Sequence, residues 1–181
     1  VVQAALTQMP GYRHSSGGMS YWKLSSRVSV IGTAYAVEFM GRAQEAGFGV
    51  NDALLQENAS YLRDALVRAE FEGMDRRLSD QTRAYIAVAL ARAGQGDAGL
   101  NSRLYAQRAS LGLPYQAAVV EAIARITGPD SRASELLRGI YGRLYIDASS
   151  AKVTEDDASG YARLWGSDDL ATASVLEAII W

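Results

Sequence analysis

Helical periodicity recurs along the whole chain, while runs of alternating apolar and polar residues are scarce. The segment at about 29–46 is apolar nearly all round, through Ile31, Ala34, Tyr35, Val37, Phe39, Met40 and Ala43. Its charges, Glu38, Arg42 and Glu45, follow at i, i+4 and i+7 on one narrow face, and Gly47 marks a stop. The next helix, at about 52–70, is of another kind. Leu54, Leu55, Ala59, Leu62, Leu66 and Ala69 form one stripe opposite Glu57, Arg63, Asp64 and Arg68, with Asn51 as the expected N-cap.

The two kinds then alternate. Apolar helices are expected at 80–93 (ending at Gly94), at 114–127 (Pro114 in the first turn, Gly128-Pro129 as the stop) and at 169–181, capped by Ser167 or Asp168. Striped helices are expected at 97–111, on Leu100, Leu104 and Leu111, and at 131–146, on Leu136, Leu137, Ile140, Tyr141 and Leu144. One polar, irregular stretch covers 147–160. A helix apolar on every side must be covered on every side, whereas a striped one faces water along half its surface. Strict alternation therefore predicts an all-α chain of helical hairpins in two layers. The related cores AYAVEF, AYIAVAL, YQAAVVEAIA and LATASVLEAII read as a repeat that stacks into an α/α toroid, complete or partial. The expectation is a single helical domain over 1–181.

Length and composition fit this picture. A chain of 181 residues, 49% of them apolar, can bury a sizeable core. The net charge is −2 with no basic cluster, which argues against nucleic-acid binding. No apolar run reaches the roughly 20 residues that span a bilayer, so no direct membrane insertion is expected. Cysteine is absent, which removes disulfides and thiolate chemistry. The chain begins without methionine and stops inside an apolar helical pattern, and is read as a fragment of a larger domain whose exposed apolar surface favours self-association.

Candidate chemistry is sparse. His14, the one histidine, lies in YRHSSGGMSYW beside Arg13, Ser15 and Ser16, with no carboxylate near it in sequence, and is read as a turn residue. The Gly17-Gly18 pair suits a turn with positive φ, after which Tyr21 and Trp22 fold back on the helical body. A glycosidase on this architecture would need two carboxylates, with Glu38, Glu121, Asp156, Asp157, Asp168 and Asp169 as candidates. Glu38 and Glu121, however, are each followed four residues later by an arginine, Arg42 and Arg125, the spacing of a helix ion pair. Solvation explains Asp156-Asp157, and capping explains Asp168-Asp169. An isoprenoid cyclase would want an acid-rich motif, which Glu155-Asp156-Asp157 matches only weakly. No catalytic, cofactor-binding or metal-ligating residue is assigned.

The order of motifs carries more information than any one of them. YRHSSGGMSYW, followed by GTAYAVEFMGRAQEAGFGVNDALLQENASYL, resembles the thioester domain of the alpha-2-macroglobulin family. The likeness rests on Thr33-Ala34-Tyr35 in the first helix, the AxxAG[YF]xV-like ending at 43–50, Tyr61-Leu62, and later Trp165-Gly166-Ser167-Asp168 with Thr172-Ala173 and Leu176. The resemblance implies an α/α toroid inside a large periplasmic or secreted bacterial protease inhibitor, lipid-anchored in some parents. Its partners would be proteases and other domains of the same protein. In that family a protease cuts a bait region, the molecule rearranges, and a thioester built on a Cys-x-Glu-Gln motif acylates the attacker. This sequence has neither cysteine nor that tetrapeptide, and the link at 71–79 lacks the histidine that some members carry there. The resemblance therefore implies a non-catalytic fragment without the thioester. The alternative from the residues alone is a carbohydrate-active, glycan-binding or isoprenoid-binding α/α toroid.

Overall fold

The computed structural model describes residues 1–68, 78–146, 151–153 and 168–180. The chain is all-α, with one short antiparallel strand pair among the described residues. Its helices are α1 (Val2–Gln8), α2 (Val30–Glu45), α3 (Asp52–Arg68), α4 (Asp80–Arg92), α5 (Ala98–Ala106), α6 (Leu113–Thr127), α7 (Ser131–Tyr141) and α8 (Asp168–Ile180). Local sequence sets their starts. Asn51 Oδ1 accepts the Leu54 N–H at 3.1 Å, Ser29 and Ser79 accept from Gly32 and Thr82, and Asp97 accepts from Leu100. Pro114 occupies the first turn of α6. Gly47, Gly94 and Gly128 follow helix ends with positive φ.

The alternation read from the sequence is the alternation of layers. α2, α4, α6 and α8 pack in succession, and α3, α5 and α7 lie outside them. The centre of this arrangement is α4, whose two faces belong to two different apolar clusters. Ala84, Ala87, Val88 and Ala91 pack with α5, α6, α7 and α8. Ile86, Ala89, Leu90 and Ala93 pack with α1, α2 and α3. Such two-sided burial is why the run 84–91 carries no charged residue, with Asp80, Gln81, Thr82 and Arg83 confined to the first turn: each buried Leu or Ile stabilises by about 1.5–3 kcal/mol. By contrast, α7 buries only Ala133, Leu136 and Ile140. Gly41 permits a close approach of α2 to α4, since a Cβ there would sit 3.0 Å from the backbone carbonyl of Arg92.

Three expectations need correction. The helix predicted for 131–146 ends at Tyr141, and Leu144–Ile146 pairs antiparallel with Ala151–Val153, Leu144 opposite Val153. The helix predicted for 97–111 stops at Ala106; a 3₁₀ turn, Arg108–Ser110, then carries Leu111 into the core. Trp22 does not fold back, being 77% exposed; Tyr21 leaves most of its ring in water, although one ring edge reaches the first turn of α2 at Gly32. Met19 and Val28 hold that segment down instead. Met19 is bridged on both sides, by Arg13 and Ser29, and its N–H donates to the buried Thr33 hydroxyl at 2.8 Å. Ser20 is buried as well, and the exposed stretch begins only after it.

Candidate functional site

Six charged side chains from all four inner helices meet around Arg92, with Glu45 at the edge of the cluster. Arg92 is the last residue of α4 and the one charged residue in the run Ala84–Ala93. Its side chain is 4% exposed. Its Nε donates to Glu121 Oε1 at 2.6 Å and its Nη2 to Glu121 Oε2, a bidentate pair with a carboxylate that is equally buried. Nη1 donates to Glu38, and Nη2 also lies 3.0 Å from Glu177.

A second ring of bonds closes around this centre. Arg42 donates to Glu38 at 3.0 Å and to Glu177 at 2.7 Å. Arg125 donates to Glu121 at 2.6 Å and also to Glu45. The Tyr85 hydroxyl donates to the second oxygen of Glu38. Glu38 and Glu121 therefore come together in space, and each keeps the i,i+4 arginine that the sequence indicated. Arg92, which joins them, was not foreseen. The available signal was a lone cation within an otherwise apolar helix.

The hub lies in the C-terminal halves of α2, α4, α6 and α8, so the four inner helices run the same way. Helix C-termini favour cations, which suits Arg42, Arg92 and Arg125 at this end. Burial alone would pull the Arg92 guanidinium down, but its hydrogen bond to Glu121 and the charges of Glu121 and Glu38 raise it above the ordinary value. Arg42 is raised in the same way, burial being outweighed by its bonds to Glu177 and Glu38. Burial pushes Glu177 up, yet Arg42 and Arg92 together hold it below the usual carboxylate range. Burial and the neighbouring Glu38 charge raise the Tyr85 phenol, which keeps it a donor.

This arrangement neutralises charge. The carboxylate oxygens of Glu38 and Glu121 are taken by guanidinium and phenol donors. Acid–base cleavage of a glycoside would instead require two carboxyl groups facing a substrate. Among the described residues no three His, Asp or Glu side chains cluster as metal ligands, and no helix is long and apolar enough to cross a membrane. Asp168 and Asp169 open α8, where the sequence places a helix start, while Glu155, Asp156 and Asp157 lie outside the described residues.

His14 belongs to a tight turn well away from this hub in the sequence. Its N–H donates to the Gly18 carbonyl at 2.8 Å, and the Gly17 N–H returns to the His14 carbonyl at 3.0 Å. The Ser16 N–H donates to Nδ1 at 3.1 Å, so this ring nitrogen acts as an acceptor. Gly17 has φ +89°, and a Cβ on Gly18 would meet Val28 at 2.5 Å and the Tyr61 ring at 2.9 Å. Both glycines are thus required, one by conformation and one by space. Beside them Arg13 pairs with Glu57 of α3 at 2.6 Å. In the motif that follows, Thr33 and Ala34 are fully buried, and Tyr35 packs on Tyr85 with ring centroids 5.2 Å apart.

The architecture has solved counterparts. A point mutant of Salmonella alpha-2-macroglobulin superposes over 98% of this chain with a TM-score of 0.69 and 20% identity. The fold is that of part of a bacterial alpha-2-macroglobulin. The Salmonella protein reacted with methylamine matches over 97% of the chain, with a TM-score of 0.64 and 19% identity. The Escherichia coli protein activated by porcine elastase matches over 74%, with a TM-score of 0.60 and 20% identity. The chain spans 11% of the length of the first of these macroglobulins and 12% of the other two. No protein-family model matches the sequence, and no curated protein matches it.

Proposed function

We propose that this chain is a non-catalytic part of the thioester-type α/α toroid of a bacterial alpha-2-macroglobulin-like protease inhibitor. The observation that carries the reading is the structural overlap with the Salmonella macroglobulin along nearly the entire chain. Two further features support it. The ordered motifs from Tyr12 to Leu62 resemble that family's domain, and the inner-layer carboxylates serve as ion-pair partners. The parent protein would meet proteases in the periplasm or outside the cell. There this domain would act as a rigid helical body that other domains of the parent hold and release, forming a single unit over 1–181.

The test uses the full reading frame that encodes the chain. The purified parent is incubated with trypsin and with elastase. The protease should then lose activity on a large protein substrate while still cleaving a small chromogenic peptide, and the parent should show one limited cut. Undiminished digestion of the large substrate would sink the reading.

A further inference from the structure

Residues 1–37 contain Arg13, Lys23 and Arg27 and no aspartate or glutamate, although the whole chain carries a net charge of −2. Arg13 is taken up by Glu57. Lys23 and Arg27 are exposed, and among the described residues neither is ion-paired with a carboxylate. Between these two cations the chain turns sharply. The Ser25 N–H donates to the Trp22 carbonyl at 3.2 Å, which closes a β-turn with Leu24 at its third position.

Leu24 has φ +62°, the one positive φ at a non-glycine residue among those described. That position of a turn normally takes glycine or asparagine, because a Cβ crowds the backbone there. The Leu24 side chain is nonetheless fully exposed, at 102%. A branched apolar residue in an unfavourable conformation, bathed in water, gains nothing from the rest of this chain. Contact with something outside the chain would offset the cost. Tyr21 and Trp22 are exposed on the same tip.

The tip stands on a fixed base. The Arg27 N–H donates to Ser25 Oγ at 3.1 Å. The Lys23 ammonium lies over the Tyr12 ring, 5.4 Å from its centroid. Met19 anchors the strand leading in. An exposed tip that carries Tyr, Trp and Leu together with Lys and Arg over 21–27 has the composition that binds a bilayer interface. Amphipathic rings settle at headgroup depth, an aliphatic side chain reaches the acyl boundary, and cations meet anionic headgroups. A protein partner would have to supply a pocket for these apolar side chains as well as an acidic rim. An anionic membrane presents both features without a matched shape.

We propose that the tip formed by Tyr21, Trp22 and Leu24 docks reversibly on a bilayer containing anionic phospholipid, with Lys23 and Arg27 against the headgroups. This is a peripheral contact by one loop, and it does not depend on the protease-inhibitor reading.

The purified chain is sedimented with vesicles of phosphatidylcholine mixed with phosphatidylglycerol, and with vesicles of phosphatidylcholine alone. Binding should be roughly tenfold tighter to the mixed vesicles, given two cations near an anionic surface. High salt should weaken it. The Leu24→Gly substitution should lower binding about fivefold or more while raising Tm, because glycine accepts the backbone conformation and leucine makes the apolar contact. If Leu24→Gly lowers Tm as well, the double change Lys23→Glu and Arg27→Glu, confined to exposed side chains, decides the matter by abolishing the preference for mixed vesicles. Equal binding to both vesicle types would overturn the proposal, as would Leu24→Gly binding like the original chain. A dimer that Leu24→Gly dissolves, with no vesicle binding, would also overturn it and assign the tip to a second copy.

Discussion

Two ion pairs of this protein have nearly the same geometry and opposite surroundings. Arg92 grips Glu121 with two donors inside the hub, where both side chains are 4% exposed. Arg132 grips Asp130 with two donors, at 3.0 and 2.7 Å, at the start of α7, where the side chains are 30% and 14% exposed. In the second pair water can replace either partner, and side-chain entropy offsets most of the attraction. In the first pair neither charge has another source of solvation, so loss of one strands the other. Distance alone would rank the two as equals. Burial separates them, and the same contrast divides the inner helices from the outer ones.

The comparison can be broken at the hub first. Arg92→Ala should cost about 3–5 kcal/mol, because it leaves Glu121 buried beside a single remaining arginine and removes the link to Glu38. Urea denaturation would read this. A loss under about 1 kcal/mol would mean that water enters the hub and that the contrast fails. Gly41→Ala probes the same place through the backbone. Its Cβ would press on the Arg92 carbonyl at 3.0 Å, and the expected loss is about 1–3 kcal/mol.

A smaller effect sharpens the contrast through pH. Glu177 is held below the usual carboxylate range, so its contribution is present above the unfolded carboxylate value and is lost as pH falls through the folded one. Glu177→Gln should therefore lower Tm near neutrality and flatten its decline below about pH 5. An unchanged acid limb would place the titration elsewhere in the molecule. The smallest effect is expected at the partly exposed pair, where Arg132→Ala should cost under about 1 kcal/mol despite the short distances.

The layers were legible in the sequence because burial on all sides and burial on one side leave different residue patterns. Ile86 to Ala93 and Leu54 to Leu62 could not exchange places. Helix starts at Asn51 and Pro114 were legible for local chemical reasons, as were the pairs Glu38–Arg42 and Glu121–Arg125. The strand pair was not. Leu144, Tyr145 and Ile146 are too few to separate a period of two from the end of an amphipathic helix. Leu111 was rightly read as core and wrongly read as helix, since a 3₁₀ turn delivers it to the same place. The hub itself is a tertiary fact. Arg92 meets Glu38 from 54 residues away and Glu121 from 29, and no local rule joins them. Trp22 escaped for the opposite reason: an aromatic residue suggests burial, and the fold leaves it 77% exposed.

The bond between Arg42 and Glu177 spans 135 residues. The chain must be made as far as its last inner helix, and α8 must be in place, before that contact can form, and the entropy of closing so long a loop delays it further. This contact is therefore expected late in folding and early in unfolding. Substitutions at Arg42 or Glu177 should leave the refolding rate nearly unchanged and speed unfolding, so that these two side chains govern how long the folded molecule lasts more than how quickly it arises.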